Sequence, residues 1–260
     1  FRDDAPTASI ARTTDAITLD ESQGSTGTDT NGGTDDITVS NPDPFSGAYG
    51  TPIGALANVD LVDPTTSTGA DSFGAPGAVV SLSIVDGNGS NSGLVTNAGV
   101  QIDLWQESGD TVTGRTGGAS GTVIFAIRID GDGQVTVAQY QPIGHPLGGD
   151  TNPDDAKDLS GKLDAVVTQE DGDGDVATDS IGIGAAIIFQ DDAPTVGSNA
   201  TARLDDDALS GGNPGGTGDD TDSQDVSGTL AFGYGRDGAG AVAWRNPTPS
   251  RRCSPPAKAS

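Results

Sequence analysis

The chain has 260 residues, with 38 acidic and 12 basic side chains and a formal net charge of −26. That balance excludes electrostatic capture of nucleic acid or of an anionic membrane surface, and it favours cations. One cysteine, Cys253, permits no internal disulfide; one histidine, His145, leaves zinc short of its usual ligands; and no apolar run is long enough to cross a bilayer.

Of the acids, 35 are Asp and only 3 are Glu. Helices use Glu freely, whereas Asp favours turns, caps and short metal loops. Leu, Ile, Val and Phe together make 50 of the 260 residues, a fraction that borders on disorder at this charge. The apolar residues are largely β-branched and alternate with polar ones over strand-length runs. The expectation is a chain that folds once cations neutralise part of its charge.

The chain opens with Phe1–Thr7, FRDDAPT, beginning with Phe rather than Met, and it reads as a segment of a longer protein. Residues 8–50 are rich in Thr, Asp and Gly, with short strands expected at 17–19 and 37–39. The stretch from 50 to about 78 reads as loop, broken by Pro52, Pro64 and Pro76. From there the alternation sharpens: 79–85 places Val80, Leu82 and Ile84 on one side, and 100–104 is a clean period-two run ending at Trp105. Runs 123–129 and 135–140 flank Asp130-Gly131-Asp132-Gly133-Gln134 and predict a hairpin. Runs 163–168 and 176–183 flank Gln169 to Asp175 and predict a second. Residues 153–159 offer at most one helical turn. Residues 185–189 predict a last strand, which runs into Phe189–Thr195, FQDDAPT.

That phrase repeats the opening in six places of seven, 188 residues on. Each copy is followed by a Leu-acid-acid step, Leu19-Asp20-Glu21 and then Leu204-Asp205-Asp206. Recurrence at fixed spacing marks a repeat boundary. The expected organisation is a complete unit over 1–192, the start of a second over 193–244, and a disordered basic tail over 245–260. The tail holds four basic residues, four prolines and no acid, which reads as a slipped reading frame or assembly artefact, against the plain alternative of a genuine basic tail. Many short strands with Gly/Asp turns predict an all-β fold, an immunoglobulin-like, Greek-key sandwich with long Gly/Asp-rich loops.

Calcium takes six to eight oxygen ligands, and closely spaced Asp residues in Gly-rich turns supply them. Asp171-Gly172-Asp173-Gly174-Asp175 is the foremost candidate, against the plain alternative of a solvated turn. The EF-hand pattern is not met, because Val176 and Gly182 stand where that loop needs Gly and Glu and no flanking helices are expected, which leaves a calcium-binding hairpin loop. Asp130 and Asp132 form a second candidate. Asp191 and Asp192, at the unit boundary, form a third, with Asp3 and Asp4 as their first-copy equivalents. Gly215 to Asp220 matches the first six places of a calcium-roll nonapeptide, but one copy builds no roll. His145 reads as a structural or surface histidine, no catalytic constellation stands out, and Trp105 and Trp244 read as core residues.

The run from Phe125 to Thr195 resembles the large repeated domains of giant bacterial RTX-type proteins, type I-secreted, calcium-associated adhesins and toxin-like surface proteins. The resemblance rests on the strand-DGDG-strand hairpin, Tyr140 followed by His145-Pro146, Asp154-Asp155 followed by Leu159, the DGDGD step and the closing F-x-D-D-x-P-T. It implies an extracellular or cell-surface location and a spacer role, with neighbouring repeats of the same polypeptide as partners. Any cell-surface or glycan ligand would then be met through other domains. No enzyme activity and no membrane insertion are expected. Two alternatives are a ligand-binding adhesin module that contacts glycans or a host surface directly, and a secreted hydrolase using paired Asp.

Overall fold

Alternation of apolar and polar residues puts every second side chain on one face of a strand, and here it builds nearly the whole fold. The computed structural model describes residues 4–21, 45–71, 75, 77–145, 155–191, 195–198, 230–234 and 239. In chain order the strands are β1 (Thr7–Arg12), β2 (Ile17–Asp20), β3 (Gly54–Asp60), β4 (Val62–Ser67), β5 (Val79–Ile84) and β6 (Ser90–Thr96). Then come β7 (Gln101–Ser108), β8 (Thr111–Thr116), β9 (Thr122–Ile129), β10 (Gln134–Gln139), β11 (Ile143–Gly144) and β12 (Ala156–Asp158). The last five are β13 (Leu163–Glu170), β14 (Val176–Gly182), β15 (Ile187–Gln190), β16 (Thr195–Val196) and β17 (Phe232–Gly233). One 3-10 turn, Gly184–Ala186, precedes β15.

The fold is all-β and sandwich-like. One layer is a seven-stranded antiparallel sheet in the order β11-β6-β7-β8-β9-β10-β3. Of the other strands, all but β16 and β17, which pair with each other, contribute the sheet β14-β13-β5, the ribbon β1-β4 and the sheet β12-β15-β2. Their inward residues form one core: Ile10, Ile17, Leu19, Val80, Leu82, Leu104, Phe125, Ile127, Val137, Val167 and Phe189 are all members. At its centre the Phe125 and Phe189 rings lie 5.1 Å apart. Strand β15 pairs with β2 in parallel, Phe189 opposite Leu19, so the start of the second copy of the repeated phrase lies beside the Leu-acid-acid step that follows the first. Glu21, buried, carries the step inward: its Oε1 accepts hydrogen bonds from the Gln139 side chain and from the Ile143 amide at 2.7 Å.

The stretch expected to be loop contains β3 and β4. Pro64 sits within β4, opposite Ile10. The Ile10 amide points the other way and donates to Asp179 Oδ2 at 3.0 Å. Ile10 and Pro64 are therefore a pair without ladder hydrogen bonds, where a proline forfeits nothing. Residues 156–158, inside the expected helical turn, are strand β12 because they pair with the edge of β15. Trp105 is not in the core. Its neighbours Ile102 and Leu104 point inward, which places the indole on the opposite face of the large sheet, half-buried against Gly89 and across from Thr113. On that face the turn at 45–49 covers β9 and β10: Phe45 and Tyr49 pack on Ala126, Ala138 and Tyr140. The guanidinium of Arg128 lies 5.6 Å from the Phe45 ring centre, and that of Arg115 lies 5.9 Å from the Tyr49 ring centre. The strand expected at 37–39, Trp244, the Gly215–Asp220 motif and the 245–260 tail lie outside the described residues, as does nearly all of the expected second unit.

Gly114 faces the core pair: a Cβ there would stand 2.3 Å from ring carbons of Phe125. With Phe189 behind it, that ring has little room to retreat. Gly114→Ala should destabilise the fold by about 1–3 kcal/mol, measured by urea unfolding. An unchanged midpoint would show that the ring moves freely.

Candidate metal centre

The hairpin β13–β14 closes with Glu170 opposite Val176, leaving Asp171 to Asp175 as its loop. The Asp171 amide donates to the Asp175 carbonyl at 3.0 Å, which shuts the turn. Asp171 Oδ1 accepts from the amides of Gly174 at 3.1 Å and Asp175 at 2.8 Å. Gly174 takes φ +103°, a conformation that side chains with a Cβ rarely adopt. The Gly172 amide reaches across to the Asp71 carbonyl at 2.6 Å, docking the loop on the β4–β5 connection.

Folding this way gathers three carboxylates. Asp171, Asp173 and Asp175 each offer an oxygen, all within 4.8 Å of one another, the one such group of three among the described residues. Two oxygens on opposite sides of a calcium ion stand about 4.8 Å apart, so the group fits inside one coordination sphere. Asp173 and Asp175 are exposed, whereas Asp171 is only 2 % exposed and its Oδ2 accepts no hydrogen bond from the chain. A carboxylate oxygen shut from water without a donor is costly, and a cation removes that cost. Its own loop, at the rim of the molecule, hides the Asp171 carboxyl. Burial pushes its pKa up, but hydrogen bonding with the Asp173 side chain and from the amides of Asp175, Gly174 and Asp173 outweighs this, and the net shift is down.

The Asp130–Gln134 loop is built on the same plan, with a different result. The Asp130 amide meets the Gln134 carbonyl at 3.0 Å, and Asp130 Oδ1 accepts from the amides of Asp132 at 3.0 Å and Gln134 at 2.9 Å. Its fifth place holds Gln134 where the other loop has Asp175, so a third carboxylate is missing, and both Asp130 and Asp132 are exposed. Its second glycine has a packing reason: a Cβ at Gly133 would lie 2.2 Å from the Val62 carbonyl oxygen. Asp191 lies elsewhere, with Oδ1 3.6 Å from His145 Nδ1. Asp192 falls outside the described residues. His145 is a buried structural histidine, and its Nε2 donates to the Phe189 carbonyl at 3.1 Å. Composition and spacing gave no sign of the Asp71 carbonyl, of Asp4 Oδ2 holding the Ala70 amide at 2.9 Å, or of Glu21 in the interior. The repeated phrase contains Asp4, and the Leu-acid-acid step that follows it contains Glu21; their recurrence was the available signal for those two.

A carboxyl whose folded pKa is lowered stabilises above its unfolded value and loses that contribution as pH falls through the folded one, here below 3.8. Asp171→Asn should therefore weaken the fold at pH 7 and have a smaller effect at pH 3, compared by urea unfolding of both forms. Equal losses at the two pH values would contradict the assignment.

No curated protein and no solved structure matches the chain. A known domain family matches residues 16–184, more than half of the sequence; β1 and β15, which supply Ile10 and Phe189 to the core, lie just outside that span. The chain belongs to the family described as Domain of unknown function (DUF5801).

Proposed function

We propose that this chain is a structural repeat of a large secreted or surface-anchored bacterial protein, a spacer stiffened by calcium at Asp171, Asp173 and Asp175. The observation that carries the reading is the buried, donor-less Oδ2 of Asp171 within a cluster of three carboxylates. The repeated boundary phrase and the resemblance to RTX-type repeats support the stacking of units. With this net charge an unfolded chain repels itself where calcium is scarce, which suits export. Outside the cell, millimolar calcium matches the affinity class of extracellular modules.

For one site with an affinity near 10⁻⁴ M, 10 mM calcium adds about 2.7 kcal/mol. The full chain, melted by circular dichroism in chelator and then in calcium, should gain roughly 5–10 °C. Identical melting in both would leave the acidic loop a solvated turn and remove the reading. Asp175→Gln rewrites this loop in the manner of Asp130–Gln134. It should abolish the calcium response while leaving the melting temperature in chelator nearly unchanged.

A further inference from the structure

We propose that a cation held by Asp171, Asp173 and Asp175 works as a latch, fastening the β1–β4 ribbon to the β13–β14 hairpin. The latch rests on the calcium reading above and states what that site regulates: whether one edge of the sandwich stays closed.

Ribbon and hairpin belong to different sheets, and no strand ladder joins them. Hydrogen bonds at three levels fix one to the other. At the far end the Arg12 guanidinium donates to the Gly182 carbonyl at 3.3 Å. Midway the Ile10 amide donates to Asp179 Oδ2 at 3.0 Å. At the loop end the Gly172 amide donates to the Asp71 carbonyl at 2.6 Å. Asp71 follows Ala70, whose amide is held at 2.9 Å by Oδ2 of Asp4, just before β1 begins. The Arg12–Gly182 and Ile10–Asp179 contacts show β1 running in the same direction as β14, so its first residues lie towards the acidic loop.

The loop-end bond is the one that a cation governs. Gly172 stands between Asp171 and Asp173, so its amide meets Asp71 only while the loop keeps those carboxyls gathered. Three carboxylates with oxygens within 4.8 Å repel one another, and the burial of Asp171 weakens the screening by water. Asp171 Oδ2 accepts no hydrogen bond from the chain, so no donor there offsets the charge. A divalent cation turns the repulsion into attraction and holds Gly172 against Asp71. Without it the loop relaxes, the bond to Asp71 is lost, and this edge opens before the rest of the fold. Such coupling is reciprocal: what calcium adds to the attachment of the ribbon, that attachment adds to the affinity for calcium.

The test is residue-resolved amide hydrogen exchange on the full chain, in chelator and in calcium, beside calorimetric titration with calcium chloride. Calcium should slow exchange of the Ala70 and Ile10 amides at least about fivefold, together with the loop amides of Gly174 and Asp175. The Gln134 amide, bound in the same way in the twin loop, should not change. In Asp175→Gln the effect on Ala70 and Ile10 should vanish. Asp179→Ala, which releases the Ile10 amide, should weaken calcium binding about fivefold. Asp179→Asn, which keeps an acceptor oxygen but not the charge, should weaken it far less. Asp4→Ala and Asp4→Asn make the same comparison at Ala70 if Asp179→Ala does not fold. Equal weakening by the Ala and Asn forms would reduce the effect to lost charge and overturn the latch. Calcium that slows Gly174 and Asp175 while Ala70 and Ile10 stay unchanged also overturns it, and leaves the metal centre standing. If calcium neither binds in the titration nor slows the loop amides, the metal centre fails and the latch falls with it.

Discussion

Hydrogen bonds from backbone amides to aspartate oxygens recur at several of the points where this fold changes direction or joins its parts. Asp130 and Asp171 each gather two amides of their own loop, and Asp158 takes that of Ser160. Asp179 holds β1 to β14 through the Ile10 amide, and Asp4 fixes the β4–β5 connection through that of Ala70. A carboxylate receiving amide donors is worth more than a neutral acceptor, and the short Asp side chain reaches the backbone that a Glu would overshoot. At these positions Asp therefore serves where Glu would not. The charge is spent on turns, so its repulsion is distributed around the molecule.

The same device accounts for how one loop comes to resemble a cation site and its twin does not. In both DGDG loops the first Asp organises the turn and uses up its Oδ1 in doing so. What remains decides the chemistry. At Asp130 the turn leaves the residue exposed, and Gln follows at the fifth place. At Asp171 the loop is docked through Gly172 onto Asp71, the carboxyl is occluded, and Asp173 and Asp175 converge on it. Docking, more than the motif, separates a turn from a site.

Strands with clean alternation were legible from composition and period: β5, β7, β9, β10, β13 and β14 lie where the pattern places them, the first five because each has one face on the core and β14 because it pairs with β13 along its length. Strands β3 and β4 were hidden by prolines, since only the pairing partner reveals that Pro64 occupies a position where no amide is needed. Trp105 misled because a large aromatic signals burial without saying on which side of a sheet it is buried. At the site, the DGDGD spacing pointed to Asp171, Asp173 and Asp175, as local turns are written locally. The Asp71 carbonyl, Asp4 and the His145–Asp191 contact join residues remote in sequence, and no local pattern encodes them.

The parallel ladder between β2 and β15 sets an order of events. Ile17 lies beside Ile187, 170 residues away (187 − 17), and Leu19 beside Phe189. Closing so long a loop is entropically expensive and kinetically late. The core around Phe125 stays incomplete until Phe189 arrives, so a chain emerging from its N-terminus presents a nearly whole unit before that unit can close. The fold therefore locks only as β15 appears, and its last step waits on the stretch that begins the second copy of the repeated phrase.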